Sequence, residues 1–180
     1  MNPELLQRAA RVRLLLMDVD GTLTDGRLTF VPQADGGIFE TKAFDSQDGI
    51  ALQWLSWHNI ATGVISGRLS PATAERAKQV HMRYVYQGYI EKLPILDEIR
   101  AACGISLEEI AYAGDDLTDA IVMRRVGLAI ATANARPEVK RIAHYVTRAA
   151  GGRGAVREIC ELLLTAHGHW EDVLRKYEVE

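Results

Sequence analysis

"LLLMDVDGTLTDG", Leu14 to Gly26, runs from an unbroken apolar stretch straight into three aspartates within eight positions. A short apolar run that stops at charge has the pattern of a strand buried on both faces of a parallel sheet. Val12–Met17 is such a run. The pattern recurs at Ile60–Ile65, Ile110–Ala113, Leu128–Ala131 and His144–Val146, each followed by polar residues or glycine. Helical segments separate these runs. Ser70-Pro71 supplies an N-cap and a first-turn proline for a helix to about Val80, and Lys92–Cys103 repeats apolar residues at helical spacing up to Gly104. Ser106–Glu109 has capping-box spacing around a single turn, and Ala155–Ala166 forms a longer helix before Gly168. This alternation predicts an α/β fold: a three-layer α/β/α sandwich with a central parallel sheet, in one domain over residues 1–180.

Ligands of such sheets bind beyond the carboxyl ends of the strands. Asp18 and Asp20, Ser66, and Asp115 with Asp116 all end apolar runs, so they are expected along one edge. One segment breaks the alternation. Arg27–Val31 and Ile38–Phe44 are β-rich and flank the turn-rich "PQADGG", which predicts a hairpin over about 27–44 that projects above that edge.

Bulk properties narrow the partners. The chain has 180 residues, of which 48% are hydrophobic, enough for one sizeable core. A net charge of −3 with scattered Lys and Arg offers no basic face to nucleic acid, so a small molecule is the expected ligand. No apolar run approaches the roughly 18 residues that cross a bilayer, and no membrane partner is expected. Cys103 and Cys160 are the two cysteines, and the first twenty residues lack a basic, apolar and small-residue leader pattern, which fits a reducing cytoplasm.

The acidic cluster asks for a cation. On an extended chain Asp18 and Asp20 would point to one face, where two carboxylates repel and burial raises their pKa. Asp115 and Asp116 add to that deficit. An all-oxygen set with no cysteine or histidine beside it suits Mg²⁺, completed by waters and a substrate phosphate. The five histidines show no ligand spacing of the H-E-x-x-H kind.

"DVDGT" at Asp18–Thr22, "ISGR" with Ser66, Lys92, and "GDD" followed by Asp119 stand in the order of four motifs, and the chain resembles the haloacid dehalogenase superfamily of phosphohydrolases in them. The resemblance implies Asp18 as nucleophile, forming an aspartyl phosphate, and Asp20 as general acid and base. It also implies Mg²⁺ held by Asp18, the Asp20 backbone carbonyl and Asp115, with Asp116 as a further candidate, while Ser66 and Lys92 cradle the phosphate. Asp116 is a candidate anchor for Lys92, and Asp119 a candidate for fixing the loop. Only 25 residues separate Ser66 from Lys92, so the cap domain that superfamily members usually insert has no room.

A closer similarity covers the chain nearly end to end. "DVDGTLTDG", the hairpin leading to "FDSQDGI", "ISGR", "YQG", "YAGDDLTD" and "YVTRAAGGRGAVREICELLL" resemble the 3-deoxy-D-manno-octulosonate 8-phosphate phosphatases, uncapped Mg²⁺-dependent tetramers of lipopolysaccharide sugar synthesis. The similarity implies substrate contacts from Asp20, Asp45, Ser46, Gln47, Asp48, Gly49, Gly67, Arg68, Arg76, Lys92 and Arg153. Gln47 and Gln53 stand where many members carry arginine, which leaves the phosphatases of nine-carbon sialic-type sugar acid phosphates as an alternative. A non-catalytic assembly or phosphate-binding regulatory subunit is the alternative of another class. A homotetramer is expected, with a neighbour's hairpin or "GGRG" segment, including Arg153, roofing each site. Beyond Gly168, Trp170, Val173, Leu174 and Tyr177 recur at helical spacing in a tail over about 168–180, equally suited to its own subunit or a neighbour.

Overall fold

The computed structural model describes residues 2–179. Its centre is a strand, β1 (Leu14–Met17), whose four side chains are all fully buried. Because side chains alternate along a strand, Leu14 and Leu16 enter one apolar cluster while Leu15 and Met17 enter the other. A strand must be apolar at every position when both of its faces are covered.

Four of the expected strands join it: β4 (Ala61–Ser66), β6 (Ile110–Gly114), β7 (Leu128–Ala131) and β8 (Tyr145–Val146). The hairpin strands are β2 (Thr29–Pro32) and β3 (Ile38–Thr41). A further strand, β5 (Tyr84–Gln87), was not anticipated; it is a half-exposed edge strand without a continuous apolar run. The main sheet is six-stranded and parallel, in the order β5-β4-β1-β6-β7-β8.

Helices cover both faces. One carries α1 (Pro3–Ala9), α2 (Ser46–Trp57), α3 (Pro71–Gln79), α7 (Ala155–Ala166) and α8 (Trp170–Lys176); the other carries α4 (Lys92–Cys103), α5 (Leu117–Met123) and α6 (Pro137–Lys140). The sandwich is therefore the expected one. Ser106 and Glu109 form the anticipated capping box, whereas the Ser70 hydroxyl caps nothing and is buried without a partner.

The tail docks on its own chain. Trp54 of α2 meets Trp170 and Tyr177 with ring centroids 5.9 and 5.8 Å apart, and its indole donates to the Tyr177 hydroxyl at 3.2 Å. The Arg157 guanidinium lies over the Trp54 ring at 4.1 Å, so one cation and three aromatic rings close this corner.

The hairpin pairs Thr29 with Thr41 and Val31 with Phe39, and Gly36 turns its tip at φ 84°. Its apolar residues face outward: Phe30 is 55% exposed and Ile38 73%. Its base is tied to the sheet edge through Lys42, which pairs with Asp20.

Candidate active site

The carboxyl ends of β1, β4 and β6 lie side by side and bring Asp18, Ser66 and Asp115 to one edge. At Asp18 the chain leaves the extended conformation for a tight turn over Val19–Leu23, with Asp20 at φ −82°, ψ 105°. Asp18 and Asp20 therefore do not share a strand face. Asp18 turns toward the sheet edge, while the Asp20 carboxylate pairs with the ammonium of Lys42 from the hairpin.

Gly21 makes the turn possible. It sits at φ +98°, and a Cβ there would stand 2.1 Å from Asp115 Oδ2, so any side chain would displace that carboxylate. Asn134 donates to the Gly21 carbonyl at 2.8 Å, and Gly152 N–H donates to the Thr22 carbonyl at 3.3 Å. The "GGRG" segment thus lies against its own chain's acidic turn. Arg153 is exposed there, 3.9 Å from Asp25.

Lys92, at the start of α4, is 2% exposed. Its ammonium donates to Asp18 Oδ1 at 2.6 Å, Asp119 Oδ1 at 2.7 Å and the Tyr112 hydroxyl at 3.2 Å. Burial opposes its charge, yet the carboxylates of Asp119 and Asp18 outweigh that cost and hold Lys92 above the ordinary lysine value. Asp119 is the anchor of Lys92, fully buried, and its other oxygen accepts from the backbone N–H of Asp115 at 3.0 Å and of Asp116 at 3.1 Å. Asp116 instead caps α5, accepting from Leu117 N–H at 2.7 Å, with its side chain exposed. A loop aspartate capping a helix is satisfied locally, which removes Asp116 from the lysine.

One oxygen from each of Asp18, Asp115 and Asp119 lies within 4.8 Å of the other two. Burial first, then repulsion from Asp119, pushes Asp18 up to about 6 against the pull of Lys92. Burial, then Asp18 and Asp119, pushes Asp115 up to about 7. One lysine does not neutralise three converging carboxylates, and the all-oxygen donor set fits Mg²⁺.

Ser66 is buried, and its hydroxyl accepts from Arg68 N–H at 3.2 Å. Arg68 pairs with Glu40, which also lies 3.4 Å from Lys42, so the hairpin and the edge form a continuous series Asp20–Lys42–Glu40–Arg68. The Lys42 side chain is 1% exposed. Neither Lys42 nor Glu40 was singled out from sequence; Glu40 belongs to β3 and Lys42 follows directly after its last residue.

The "DSQDG" loop caps α2 beside this series: Asp45 accepts from Gln47 N–H at 2.7 Å and Asp48 N–H at 3.2 Å. Arg76 of α3 donates to the Asp45 carbonyl at 2.9 Å, and its guanidinium lies 1.9 Å from where a Cβ on Gly49 would stand. Gly49 is therefore the space that Arg76 fills. Ser46 and Gln47 are exposed, and Gly67 follows Ser66 beside Ile90. Asp48 turns inward, 1% exposed, and accepts from Arg157 N–H at 2.7 Å, joining α2 to α7. Gln53 faces away and donates to the Gln79 carbonyl at 3.4 Å.

An acidic turn after the first strand, a serine at the end of the second, a buried lysine and an acidic loop after β6 define a phosphoryl-transferring hydrolase, and residues 65–159 match the family model of the haloacid dehalogenase-like hydrolases. Within them, the chain belongs to the 3-deoxy-D-manno-octulosonate 8-phosphate phosphatase family. It is 42% identical to the phosphatase KdsC of that name from Yersinia pestis over 168 residues, covering 93% of this chain and 88% of the relative. Identity to the Salmonella typhimurium enzyme is 38% over 172 residues, 96% of this chain and 89% of the relative. Among solved structures, a probable YrbI family phosphatase from Pseudomonas syringae superposes with a TM-score of 0.93 at 43% identity, covering 98% of each chain. The Moraxella catarrhalis 3-deoxy-D-manno-octulosonate 8-phosphate phosphatase, solved with magnesium ion, phosphate ion and KDO, gives 0.92 at 37% identity, over 98% of this chain and 99% of that one.

Proposed function

We propose that the chain is an uncapped phosphatase domain that hydrolyses 3-deoxy-D-manno-octulosonate 8-phosphate in the cytoplasmic synthesis of a lipopolysaccharide sugar. The observation that carries the chemistry is Lys92, buried between Asp18 and Asp119 and facing the oxygen cluster with Asp115. Asp18, Asp115 and the Asp20 carbonyl would hold Mg²⁺, which would supply neutralisation of the charge that gathers there. Asp18 attacks phosphorus while the bond to the sugar oxygen breaks, and Asp20 gives that oxygen its proton. Asp20 then takes a proton from water as the water oxygen attacks the aspartyl phosphate, releasing phosphate and restoring Asp18. Lys92 and the Ser66 hydroxyl hold the non-bridging oxygens, and Lys42 holds Asp20 toward the leaving group.

Asp45, Ser46, Gln47, Gly49, Gly67, Arg68 and Arg76 border the approach to this edge and form the grip on the sugar acid, with Arg68 and Arg76 as its cations. Asp48 serves them indirectly by fixing α2. The second reading is a nine-carbon sugar acid phosphate: Gln47, at the exposed start of α2, offers no charge to the carboxylate that both substrates carry, so this position does not select the eight-carbon acid. Phosphate release from eight- and nine-carbon 2-keto sugar acid phosphates, measured side by side with Mg²⁺, tests both. A tenfold higher kcat/KM for the nine-carbon acid selects the second reading. Failure to turn over even an aryl phosphate leaves the non-catalytic subunit.

The assembly we infer is a homotetramer. Phe30, Val31, Ile38 and Phe39 stand exposed on an unpaired hairpin, an apolar edge that a second copy would cover, and an uncapped site needs a roof, from a neighbour's hairpin or Arg153. Light scattering should give a mass near four chains; a fully active monomer would refute the shared roof. No described helix is long and apolar enough to cross a membrane.

A further inference from the structure

At the far end of α2 from the catalytic loop, two histidines and an aspartate from separate segments converge. His58 is the C-cap of α2, His169 the N-cap of α8, and Asp172 lies three residues further on. One ligand atom from each lies within 4.8 Å of the other two. The His58 and His169 rings stand 4.5 Å apart at 30°, and His169 Nδ1 is 3.7 Å from Asp172 Oδ2. The twelve residues of α2 put this cluster roughly 18 Å from the Asp45 cap, outside the site already described.

The tautomer of the neutral His58 ring is fixed by its partner. Its Nδ1 is 2.8 Å from the Trp54 carbonyl, which only accepts, so Nδ1 carries the proton and Nε2 keeps a free lone pair. A backbone carbonyl on the second ring nitrogen is the support that metal-bound imidazoles have, because it fixes both tautomer and ring orientation. His169 and Asp172, three apart, lie on one face of the helix start, a chelating spacing. Asp172 pairs with Arg175 through Oδ1 and leaves Oδ2 toward His169. His167, stacked 6.1 Å from His169, is committed through Nε2 to the Val12 carbonyl and buttresses the cluster rather than joining it.

We propose that His58, His169 and Asp172 form a second metal site, for a zinc-class cation, that pins the tail helix to α2. Imidazoles select such ions over Mg²⁺, and three protein ligands leave the fourth tetrahedral position to water. Ligand atoms about 2.0–2.1 Å from the ion stand about 3.3 Å from one another, so half-exposed side chains must close by roughly 1.5 Å, within the reach of rotamer adjustment.

The test is Zn²⁺ titration of the full chain with Mg²⁺ saturating, read by calorimetry and thermal unfolding, in the wild type, Asp172→Asn and His169→Gln. Expected is one Zn²⁺ per chain and a Tm rise of about 3–6 °C at tenfold excess over Kd. Tryptophan emission should shift, since Trp54 and Trp170 adjoin the site. Asp172→Asn, exposed and isosteric, should keep its zinc-free Tm and weaken binding at least tenfold. No heat and no Tm change in the wild type overturns the proposal. So does a Zn²⁺ affinity unchanged from wild type in both variants, which would place the ion on the catalytic carboxylates.

Discussion

Removing Mg²⁺ should destabilise this protein by an amount that grows with pH. Asp18 is pushed up to about 6 by burial and repulsion from Asp119, and Asp115 to about 7 by burial and repulsion from Asp18 and Asp119, both from 3.8. For a carboxyl with a raised folded-state value, the contribution to stability is full below the unfolded value, about 4, and is lost as pH climbs through the folded one. Between pH 5 and 8 the metal-free fold therefore loses stability through these two groups, while the deprotonated carboxylates that bind Mg²⁺ become available. Asp18 alone moves by about two units, worth about 3 kcal/mol at roughly 1.4 kcal/mol per unit. One cation relieves the repulsion at both sites, so the two costs do not add. Urea unfolding in EDTA and in saturating Mg²⁺, followed by tryptophan fluorescence at pH 5 to 8, should show the difference widening by about 1.5 kcal/mol, since roughly half of the Asp18 loss already falls below pH 5. Asp48, pushed up to about 6 by its own burial, titrates in the same window but contributes equally to both series and cancels. A gap constant with pH, or a metal-free protein that gains stability between pH 6 and 8, would refute the account of the cluster.

Asp119→Asn can accept on one side only, so either the backbone N–H groups of Asp115 and Asp116 or the donors Lys92 and Tyr112 face an amide nitrogen, which should cost about 1–3 kcal/mol in urea unfolding while lowering kcat more than it raises KM. Lys42→Met keeps the length of the stem but frees Asp20; kcat with a poor leaving group should fall about tenfold or more while an activated aryl phosphate is spared, and equal losses on both would remove Lys42 from proton transfer. Gln47→Arg should lower KM for the eight-carbon substrate with kcat nearly unchanged, because the added cation grips a part of the substrate remote from phosphorus.

The layers of the fold were legible because each central strand is a continuous apolar run between helices with clear ends; Gly104 at φ 66° closes α4 where the sequence places it. β5 escaped notice because an edge strand is only half covered and need not be apolar throughout. Asp18, Ser66, Lys92 and Asp115 could be found because each ends a strand or opens a helix in recognisable order. Lys42 could not: a lone lysine on a hairpin reads as a guard against edge pairing, and only the folding of that hairpin over Asp20 buries it. The exchange of Asp116 for Asp119 as the anchor of Lys92 has the same origin. Asp116 caps α5 and Asp119 stands in its first turn, so which one turns inward depends on α5 starting at Leu117. The tail's choice of its own chain was decided by Trp54, on a helix more than a hundred residues away in sequence.

The hairpin presents apolar side chains outward and, from its base, an ammonium inward to Asp20. A two-stranded ribbon is marginal by itself, so its mean position will depend on whether a second copy braces the outer surface. All the groups proposed to handle phosphate belong to one chain, yet under that proposal the orientation of Asp20 would respond to protein concentration. Specific activity should then fall on dilution below the assembly constant and recover on concentration, a lag that would look like slow inactivation but be fully reversible.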